Sequence, residues 1–173
     1  MIKSYFKVKS FPDKIKLHKP SKNIDNRGEI WTTYKDKYFQ RKYNHDKLTL
    51  AYKNSLRGMH ADKKMWKLIT CVYGEAYCVI VNYNFKSKNF LKKYTFTLNN
   101  KNNYIIEIPP NMLLGWCCLS KECIFSYKFS YKGEYIDDSE QFTIKWNDKR
   151  LKIKWPITKP ILSKRDDILA KNI

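Results

Sequence analysis

An arginine, a histidine and several lysines stand close together in the segment LRGMHADKKMWKL, residues 56–68. Histidine is the side chain whose ordinary pKa lets it exchange a proton near neutral pH. Arginine binds phosphate oxygens through a forked set of N–H donors that lysine lacks. Arg57 and His60 therefore suggest a phosphate contact and a proton acceptor on one segment, although a lone histidine is more often a surface or core residue.

The other histidines and the cysteines do not indicate a metal site. His60 is the only one of the three histidines in a strand-dense region, whereas His18 (KLHKP) and His45 (YNHDK) lie in polar contexts and are predicted surface residues. The chain has neither an HxH nor an HExxH motif, and its five cysteines include no CxxC pair. We expect reduced, buried cysteines and no metal ion.

Proton transfer by His60 would need a carboxylate that orients the ring and an acid that returns the proton. Asp166 and Asp167 near the C-terminus are candidates for the carboxylate, and the acid could be any of thirteen tyrosines. Only five of the 35 basic residues are arginines, and two of them, Arg27 and Arg57, directly precede a glycine. In a chain that otherwise uses lysine, such arginines are either ligand contacts or structural residues of tight turns.

The composition predicts a single folded domain. Of the 173 residues, 43% are hydrophobic and 16% aromatic, which excludes a disordered protein. The first residues, MIKSYFKVKSFPDK, lack the apolar core of a signal peptide, and no stretch approaches the roughly 18 apolar residues of a membrane span. We therefore expect a cytoplasmic protein without a membrane partner.

The net charge of +19 is compatible with a nucleic-acid partner, because phosphate neutralisation dominates such binding. The lysines, however, are spread along the whole chain and are not concentrated in a tail or on one helix stripe. This distribution disfavours nucleic acid. A basic surface attracts a small anionic ligand such as a nucleotide diphosphate equally well.

Alternating β-branched and aromatic residues predict a mostly β protein. Residues 67–85 and 92–110 are predicted hairpins, which turn at a glycine and at an asparagine-rich segment. Further strands are predicted at 122–135 and, around a WND turn, at 142–156. Only the C-terminal SKRDDILAKNI has a helical pattern, with Ser163 as its N-cap. Several short strands with few helices favour a β-sandwich or jelly roll.

Short motifs follow one another along most of the chain: RGEIW (27–31), LRGMH (56–60), WKLITCVYGEAY (66–77), IPPNMLLGW (108–116), SYKFSYKGEY (126–135), IKWND (144–148), IKWP (153–156) and PILSKRD (160–166). Their order and spacing resemble the dTDP-4-dehydrorhamnose 3,5-epimerase family over roughly residues 24–168. The sequences of these motifs are most similar to those of epimerases of GDP-4-keto-6-deoxy-heptoses used in bacterial capsules. The resemblance implies an all-β fold, a cupin-type double-stranded β-helix (jelly roll) with a short C-terminal helix.

The resemblance also implies an isomerase that epimerises C3, C5 or both in a nucleotide-linked 4-keto-6-deoxy sugar, with GDP favoured over dTDP. The ketone acidifies the neighbouring hydrogens, so a base can remove one while donors hold the enolate. An acid then returns a proton to the opposite face. Electrons stay on the substrate, and no cofactor is expected, in keeping with a chain that lacks a GxGxxG motif.

By this resemblance, His60 is the general base and Asp166 orients it, with the adjacent Asp167 as the alternative. Tyr127 of SYKFS matches the acid of the family. Lys67 matches a lysine that lies near the developing enolate oxygen, where its charge would stabilise the intermediate.

Five residues are expected to bind substrate. Arg57 falls on an arginine that binds the diphosphate, and Arg27 on one that reaches the nucleotide end across a dimer interface. Asn111 and Trp116 lie in the IPPNMLLGW segment. Asp62 is either a turn residue or a contact to a sugar hydroxyl.

The chain departs from the family where a second histidine is usual: the position holds Leu114 in the rhamnose-type alignment and Trp116 in the heptose-type alignment. Asn82 and Asn84 replace an aspartate and an arginine. These changes put double epimerisation in doubt and favour a substrate other than the precursor of dTDP-4-keto-rhamnose.

The resemblance implies one domain, 1–173, in which residues 1–45 form N-terminal strands that contribute to a homodimer. Residues 46–156 would form the jelly-roll core and 157–173 the C-terminal segment. The expected roles of Arg57 and His60 conflict with the geometry of a regular strand. Arg57 and His60 are three residues apart, so a regular strand would point them to opposite faces, and Gly58 or the twist of the strand must let both face one cleft.

Three other functions stay open on the sequence alone. A ketoisomerase on the same scaffold would move the carbonyl between C3 and C4. A nucleotide-sugar-binding protein would bind the same ligand without turnover. A basic nucleic-acid binder would show a steep dependence of affinity on salt.

Overall fold

Two antiparallel β-sheets pack face to face in the computed structural model, which describes residues 5–135 and 141–173. The strands are β1 (Phe6–Ser10), β2 (Lys16–Pro20), β3 (Lys22–Asp25), β4 (Gly28–Trp31), β5 (His45–Tyr52), β6 (Leu56–Ala61), β7 (Trp66–Tyr73), β8 (Glu75–Asn82), β9 (Lys93–Asn99), β10 (Ile105–Ile108), β11 (Met112–Cys118), β12 (Glu122–Ser130) and β13 (Phe142–Thr143). Single 3₁₀ turns occur at Pro12–Lys14 and Asp36–Tyr38, and the helix α1 spans Lys164–Asp167. None of the described helices is long and apolar enough to cross a membrane.

The two sheets have six and five strands, and a separate two-stranded ribbon is formed by β3 and β4. The six-stranded sheet has the order β1-β2-β10-β7-β12-β5, and the five-stranded sheet has the order β13-β6-β11-β8-β9. This arrangement and the short C-terminal helix confirm the predicted all-β jelly roll. The six-stranded sheet includes two strands from the first 45 residues, and the division of the chain at residue 45 stays a prediction.

Strict alternation of side chains produces one core between the sheets. On β12, Phe125 and Tyr127 face inward, whereas Lys128 lies on the outer face with Asp46. The inward-facing residues include a large apolar set: Ile15, Ile69, Ile80, Leu98, Ile106, Ile108, Leu114, Trp116 and Phe125. All five cysteines are buried and free, as the sequence predicted for reduced thiols.

The two predicted hairpins are not hairpins. β7 and β8 are joined through Gly74 but belong to different sheets. β9 and β10, which are also consecutive in the chain, likewise belong to different sheets. Gly74 has φ +73, and a Cβ there would lie 2.3 Å from the carbonyl oxygen of Glu122, so the chain turns tightly from one sheet into the other. Alternation in the sequence identified the strands correctly, but it carries no information on which strand they pair with.

The predicted strand pair at 142–156 is also wrong, because only Phe142–Thr143 forms a strand. The following segment covers the outer face of the five-stranded sheet and buries Ile144 and Leu151 there. The Asp148 carboxylate accepts backbone N–H bonds from Arg150 and Ile173, at 2.8 Å each, and so replaces the missing ladder bonds.

Candidate active site

A cavity of about 380 Å³ opens at one end of the space between the two sheets. Residues of β5, β6, β7, β11 and β12 form its walls, and the C-terminal segment closes one side. Its lining residues are Lys47, Thr49, Arg57, His60, Lys67, Leu114, Trp116, Tyr127, Phe129, Tyr135, Gln141, Ser163, Arg165 and Asp166. All four predicted catalytic residues are in this set.

A bulge in β6 resolves the conflict between Arg57 and His60. Arg57 pairs with Trp116 and His60 with Leu114, so three steps along β6 match two along β11. Gly58, inside the bulge, has φ +127, and a Cβ there would lie 2.5 Å from the Cα of Gly115. The extra residue restores the phase of the strand, and both side chains line the same cavity.

His60 and Asp166 are joined by a contact of 2.5 Å between Nε2 and Oδ1. The Asp166 side chain is 4% exposed and that of His60 is 22% exposed. The backbone N–H of Asp166 bonds to Ser163, the predicted N-cap of α1, which fixes the carboxylate at the start of the helix. Asp167 lies exposed on the same helix, so the geometry selects Asp166 as the partner.

Burial lowers the pKa of His60 below its ordinary value of 6.5. The hydrogen bond and charge of Asp166 act in the opposite direction, and the charges of Arg165 and Lys67 add to the lowering. This lowering favours the neutral imidazole at pH 7. An ionised carboxylate accepts only, so Nε2 carries the hydrogen and Nδ1 keeps a lone pair that can take a proton.

Tyr127 stands on β12, across the cavity from β6, and its Oη accepts a hydrogen bond of 2.5 Å from the indole Nε1 of Trp116. Burial raises the pKa of the Tyr127 phenol well above 10, while the Trp116 bond and the charge of Arg57 lower it. The phenol keeps its proton at neutral pH. Trp116 lines the cavity and is only 1% exposed, and its expected contact with substrate stays a prediction.

Lys67 reaches the cavity from β7 and pairs with Asp62 at 3.0 Å between Nζ and Oδ2. Both side chains are buried, at 7% and 1% exposure. The other oxygen of Asp62 accepts the backbone N–H groups of Lys64 and Met65. The Asp62 oxygens therefore face the turn and Lys67, outside the cavity lining, and the expected contact with a sugar hydroxyl stays a prediction.

Two further expected binding residues lie away from the cavity of their own chain. Asn111 occupies a turn with φ +62, where its backbone bonds to Asp62 and Tyr83, and its side chain does not line the cavity. The Arg27 side chain is 86% exposed at the tip of the β3–β4 ribbon and pairs with Asp25 at 2.6 Å. The role of Asn111 in substrate binding and the role of Arg27 across a dimer both stay predictions.

The sequence reading missed several cavity residues, of which Lys47 and Arg165 matter most because they are cations. Lys47 donates to the Tyr135 hydroxyl at 3.2 Å. Arg165 donates from Nε to Thr143 and from Nη2 to Gln141, at 3.0 Å each. Arg165 directly precedes Asp166 in PILSKRD, and this adjacency is the sequence feature that could have predicted Arg165 as a cavity residue. With Arg57 they form a positive wall suited to a diphosphate.

The positions that lack the family histidine, Leu114 and Trp116, both line the cavity. The other substituted pair lies outside its lining: Asn82 donates to Ser87 at 3.0 Å and accepts the backbone N–H of Asn84. Among the described residues, no group of three or more His, Cys, Asp or Glu side chains is arranged to hold a metal ion.

Comparison with known proteins identifies relatives of this chain. A family model described as dTDP-4-dehydrorhamnose 3,5-epimerase matches residues 11–171. A dTDP-4-dehydrorhamnose 3,5-epimerase from Shigella flexneri is 32% identical over 167 residues, which cover 90% of this chain and 88% of the relative.

Solved structures extend the comparison to three dimensions. The dTDP-4-dehydrorhamnose 3,5-epimerase from Bacillus anthracis str. Ames, with TDP and PPi bound, has a TM-score of 0.89 at 30% identity over 96% of this chain and 99% of the other. A 3′-monoepimerase from Streptomyces bikiniensis in complex with dTDP-quinovose has a TM-score of 0.85 at 18% identity over 94% and 86%. The second similarity shows a shared fold only.

Proposed function

Because the chain belongs to the dTDP-4-dehydrorhamnose 3,5-epimerase family, we propose that it inverts one or both carbons beside the ketone of a nucleotide-linked 4-keto-6-deoxy sugar. The expected enzyme class, a sugar-nucleotide epimerase and thus an isomerase, is confirmed by this membership. What remains to be proposed is the role of each residue, the number of centres inverted and the identity of the substrate.

One observation carries the proposed mechanism: His60 and Tyr127 stand on different sheets, with the cavity between them. A sugar held in this cavity would present one face to the base and the other to the acid. Removal of a proton by His60 and return of another by Tyr127 would therefore invert the carbon. A ketoisomerase, which returns the proton to a neighbouring atom, does not require the two groups to face one another.

His60 is proposed to take the proton at Nδ1, while Asp166 stabilises the imidazolium through Nε2. The charge of Lys67, held by Asp62, would stabilise the enolate oxygen as negative charge develops. Tyr127 would then give its proton to the carbanion from the opposite side. Arg57, Arg165 and Lys47 would hold the diphosphate and so place the sugar ring between base and acid.

For the substrate, we keep GDP-4-keto-6-deoxy-heptose as the proposal and a dTDP-linked 4-keto-6-deoxy hexose as its competitor. A sugar of different shape is supported by Leu114 and Trp116, which line the cavity and hold the position of the expected histidine in the rhamnose-type and the heptose-type alignment, respectively. The names of the relatives support dTDP. Both nucleotides must therefore enter the test.

Homodimer formation, a cytoplasmic location and a role in capsule synthesis are further proposals. The dimer is supported by the β3–β4 ribbon, on which Ile24 and Ile30 are each 70% exposed beside Arg27. Two isoleucines on an exposed ribbon are the kind of apolar surface that a second chain would cover.

Solvent-deuterium exchange tests the proposed function. The protein is incubated in D₂O with GDP-4-keto-6-deoxy-heptose and, in parallel, with dTDP-4-keto-6-deoxy-glucose, and C3 and C5 are followed by NMR and mass. Two deuteriums with inversion at both carbons indicate a 3,5-epimerase, and one indicates a single-centre enzyme. Binding without exchange of either sugar would contradict the catalytic proposal and favour a nucleotide-sugar-binding protein.

A further inference from the structure

Trp116 and Tyr127 form the shortest contact that the cavity wall makes with the proposed acid. The indole Nε1 donates to Oη at 2.5 Å, from the five-stranded sheet to the six-stranded sheet. An indole nitrogen carries a hydrogen and has no lone pair to accept with, so the direction of this bond is fixed. Tyr127 therefore accepts from Trp116, and its own hydroxyl hydrogen stays available to another acceptor.

The donor is held rigidly. Trp116 stacks on Phe125 with ring centroids 4.2 Å apart and planes inclined by 6°. Its side chain is 1% exposed, and that of Phe125 is fully buried. Because close packing fixes both rings, the N–H group is already aimed at Oη before any substrate binds.

We propose that Trp116 is the positioning residue of the acid: it orients the Tyr127 hydroxyl toward the cavity and stabilises the phenolate that forms when the proton is given away. This inference rests on the proposed epimerase function. In the step concerned, the O–H bond of Tyr127 breaks and a C–H bond forms at the carbanion. The electron pair of the O–H bond stays on Oη, where the indole N–H bonds to the new negative charge.

The contribution of Trp116 to the rate follows from a difference between two states. Before proton transfer, the indole bonds to a neutral phenol oxygen, and afterwards it bonds to an anion. Charge-assisted hydrogen bonds are roughly twice as strong as neutral ones, so the bond gains strength along the reaction and lowers the barrier. Burial raises the pKa of Tyr127, which makes proton release harder, and the Trp116 bond acts against that rise.

Trp116→Phe is the matching substitution, because phenylalanine keeps a flat ring against Phe125 and has no N–H donor. The readout is the ratio of two rates in D₂O with the sugar nucleotide that wild type turns over. One is deuterium entry with inversion, which needs Tyr127. The other is deuterium entry without inversion, which His60 performs alone by returning a solvent deuteron to the same face.

We expect inversion to fall about 10- to 100-fold in Trp116→Phe, while exchange without inversion persists. Trp155→Phe is the control, since it removes another indole N–H bond, the 2.9 Å bond to the Trp146 carbonyl outside the cavity, and should change neither rate. Both rates come from the same folded molecules, so partial unfolding lowers them together and leaves their ratio unchanged.

Unchanged inversion in Trp116→Phe would overturn the inference, and so would a proportional loss of both rates, which indicates damage to the cavity or to the base. Failure of the proposed function looks different, because wild type itself would then exchange no deuterium. In that case the inference falls as well, since no acid is at work.

Discussion

Two histidine–carboxylate pairs lie among residues 5–135 and 141–173, and one of these two faces the cavity. His60 and Asp166 meet at 2.5 Å, and His60 is 22% exposed. His18 and Glu107 meet at 3.3 Å, with both side chains at 3% exposure or less. The same two functional groups therefore occur at a site suited to proton transfer and at a site closed to any ligand.

The second pair belongs to the outer side of the six-stranded sheet. Glu107 on β10 also accepts from the Tyr43 hydroxyl at 3.1 Å and lies 3.4 Å from Nε of Arg41. His18 packs against the rings of Phe6 and Phe39, which shut out solvent. The cluster joins β2, β10 and the segment around residue 41, so its role is to hold N-terminal elements on the sheet.

Access to the cavity separates the two pairs, since in each of them the carboxylate contacts only the Nε2 of the histidine. Asp166 engages one nitrogen of His60 and leaves the other for a substrate proton, next to the cations of the cavity wall. Hydrogen-bond donors surround Glu107, and none of the described residues that contact it lines the cavity. A buried histidine–carboxylate contact is thus not in itself a sign of catalysis.

The largest expected difference between the pairs is in activity. His60→Asn removes the base and should lower the rate of deuterium exchange by about 10²- to 10⁴-fold, whereas His18→Asn should leave the rate per folded molecule unchanged. Exchange into the sugar nucleotide, normalised to the folded fraction from circular dichroism, measures both. An equal loss in the two variants would contradict the distinction drawn here between them.

The loss of folding stability should be larger at the His18–Glu107 pair than at the His60–Asp166 pair, the reverse of the order for activity. Glu107→Gln replaces the fully buried carboxylate that several donors share, and we expect it to lower the free energy of unfolding by about 2–3 kcal/mol. Asp166→Asn should cost about 1 kcal/mol or less, because its partner His60 is part-exposed. Urea titration of the two variants tests this order, and a larger loss for Asp166→Asn would refute it.

A smaller effect is expected from the carboxylate that holds Lys67. Asp62→Asn removes the charge that fixes Nζ at 3.0 Å, and exchange should slow about 10-fold because the lysine no longer stands reliably beside the enolate. Asp46→Asn is the matched control, since it breaks the exposed Lys128–Asp46 ion pair outside the cavity. Equal rates in the two variants would show that Asp62 does not position Lys67 for the reaction.

The smallest effect is a displacement of the pH profile. His60 acts as a base only when neutral, and burial lowers its pKa below 6.5, so the midpoint of the fall in exchange rate on acidification should lie below pH 6.5. Asp166 raises the pKa of His60, so Asp166→Asn should move the midpoint to still lower pH. A midpoint above pH 6.5 in wild type would contradict the assignment of a desolvated base.

Several features of the site were accessible from the sequence because they are local or were carried by the family motifs. The N-cap Ser163 and the short helix behind it follow from a local pattern, and the helix places Asp166. Tyr127 was chosen among thirteen tyrosines by its motif and not by any property of its own. The structure places both residues in the cavity wall with His60.

The burial of polar side chains could not be predicted from the sequence. His18 was expected on the surface because its neighbours in KLHKP are polar, yet it is 3% exposed. Its environment comes from Glu107 and from the rings of Phe6 and Phe39, which are distant in sequence. The partners of Asp62 and Asn111 were not predictable for the same reason, because the partners of a turn residue are set by packing.

The sequence by itself determined that β7, β8, β9, β10 and β12 are strands, which chemistry the motifs offer and where α1 is capped, because alternation and capping depend on neighbours only a few residues apart. Tertiary structure alone decided that β7 and β8 enter different sheets, that the bulge at Gly58 turns Arg57 and His60 into one cavity, and that Trp116 meets Tyr127. These features depend on which distant segments pack together. Such long-range packing has no periodic signature along the chain.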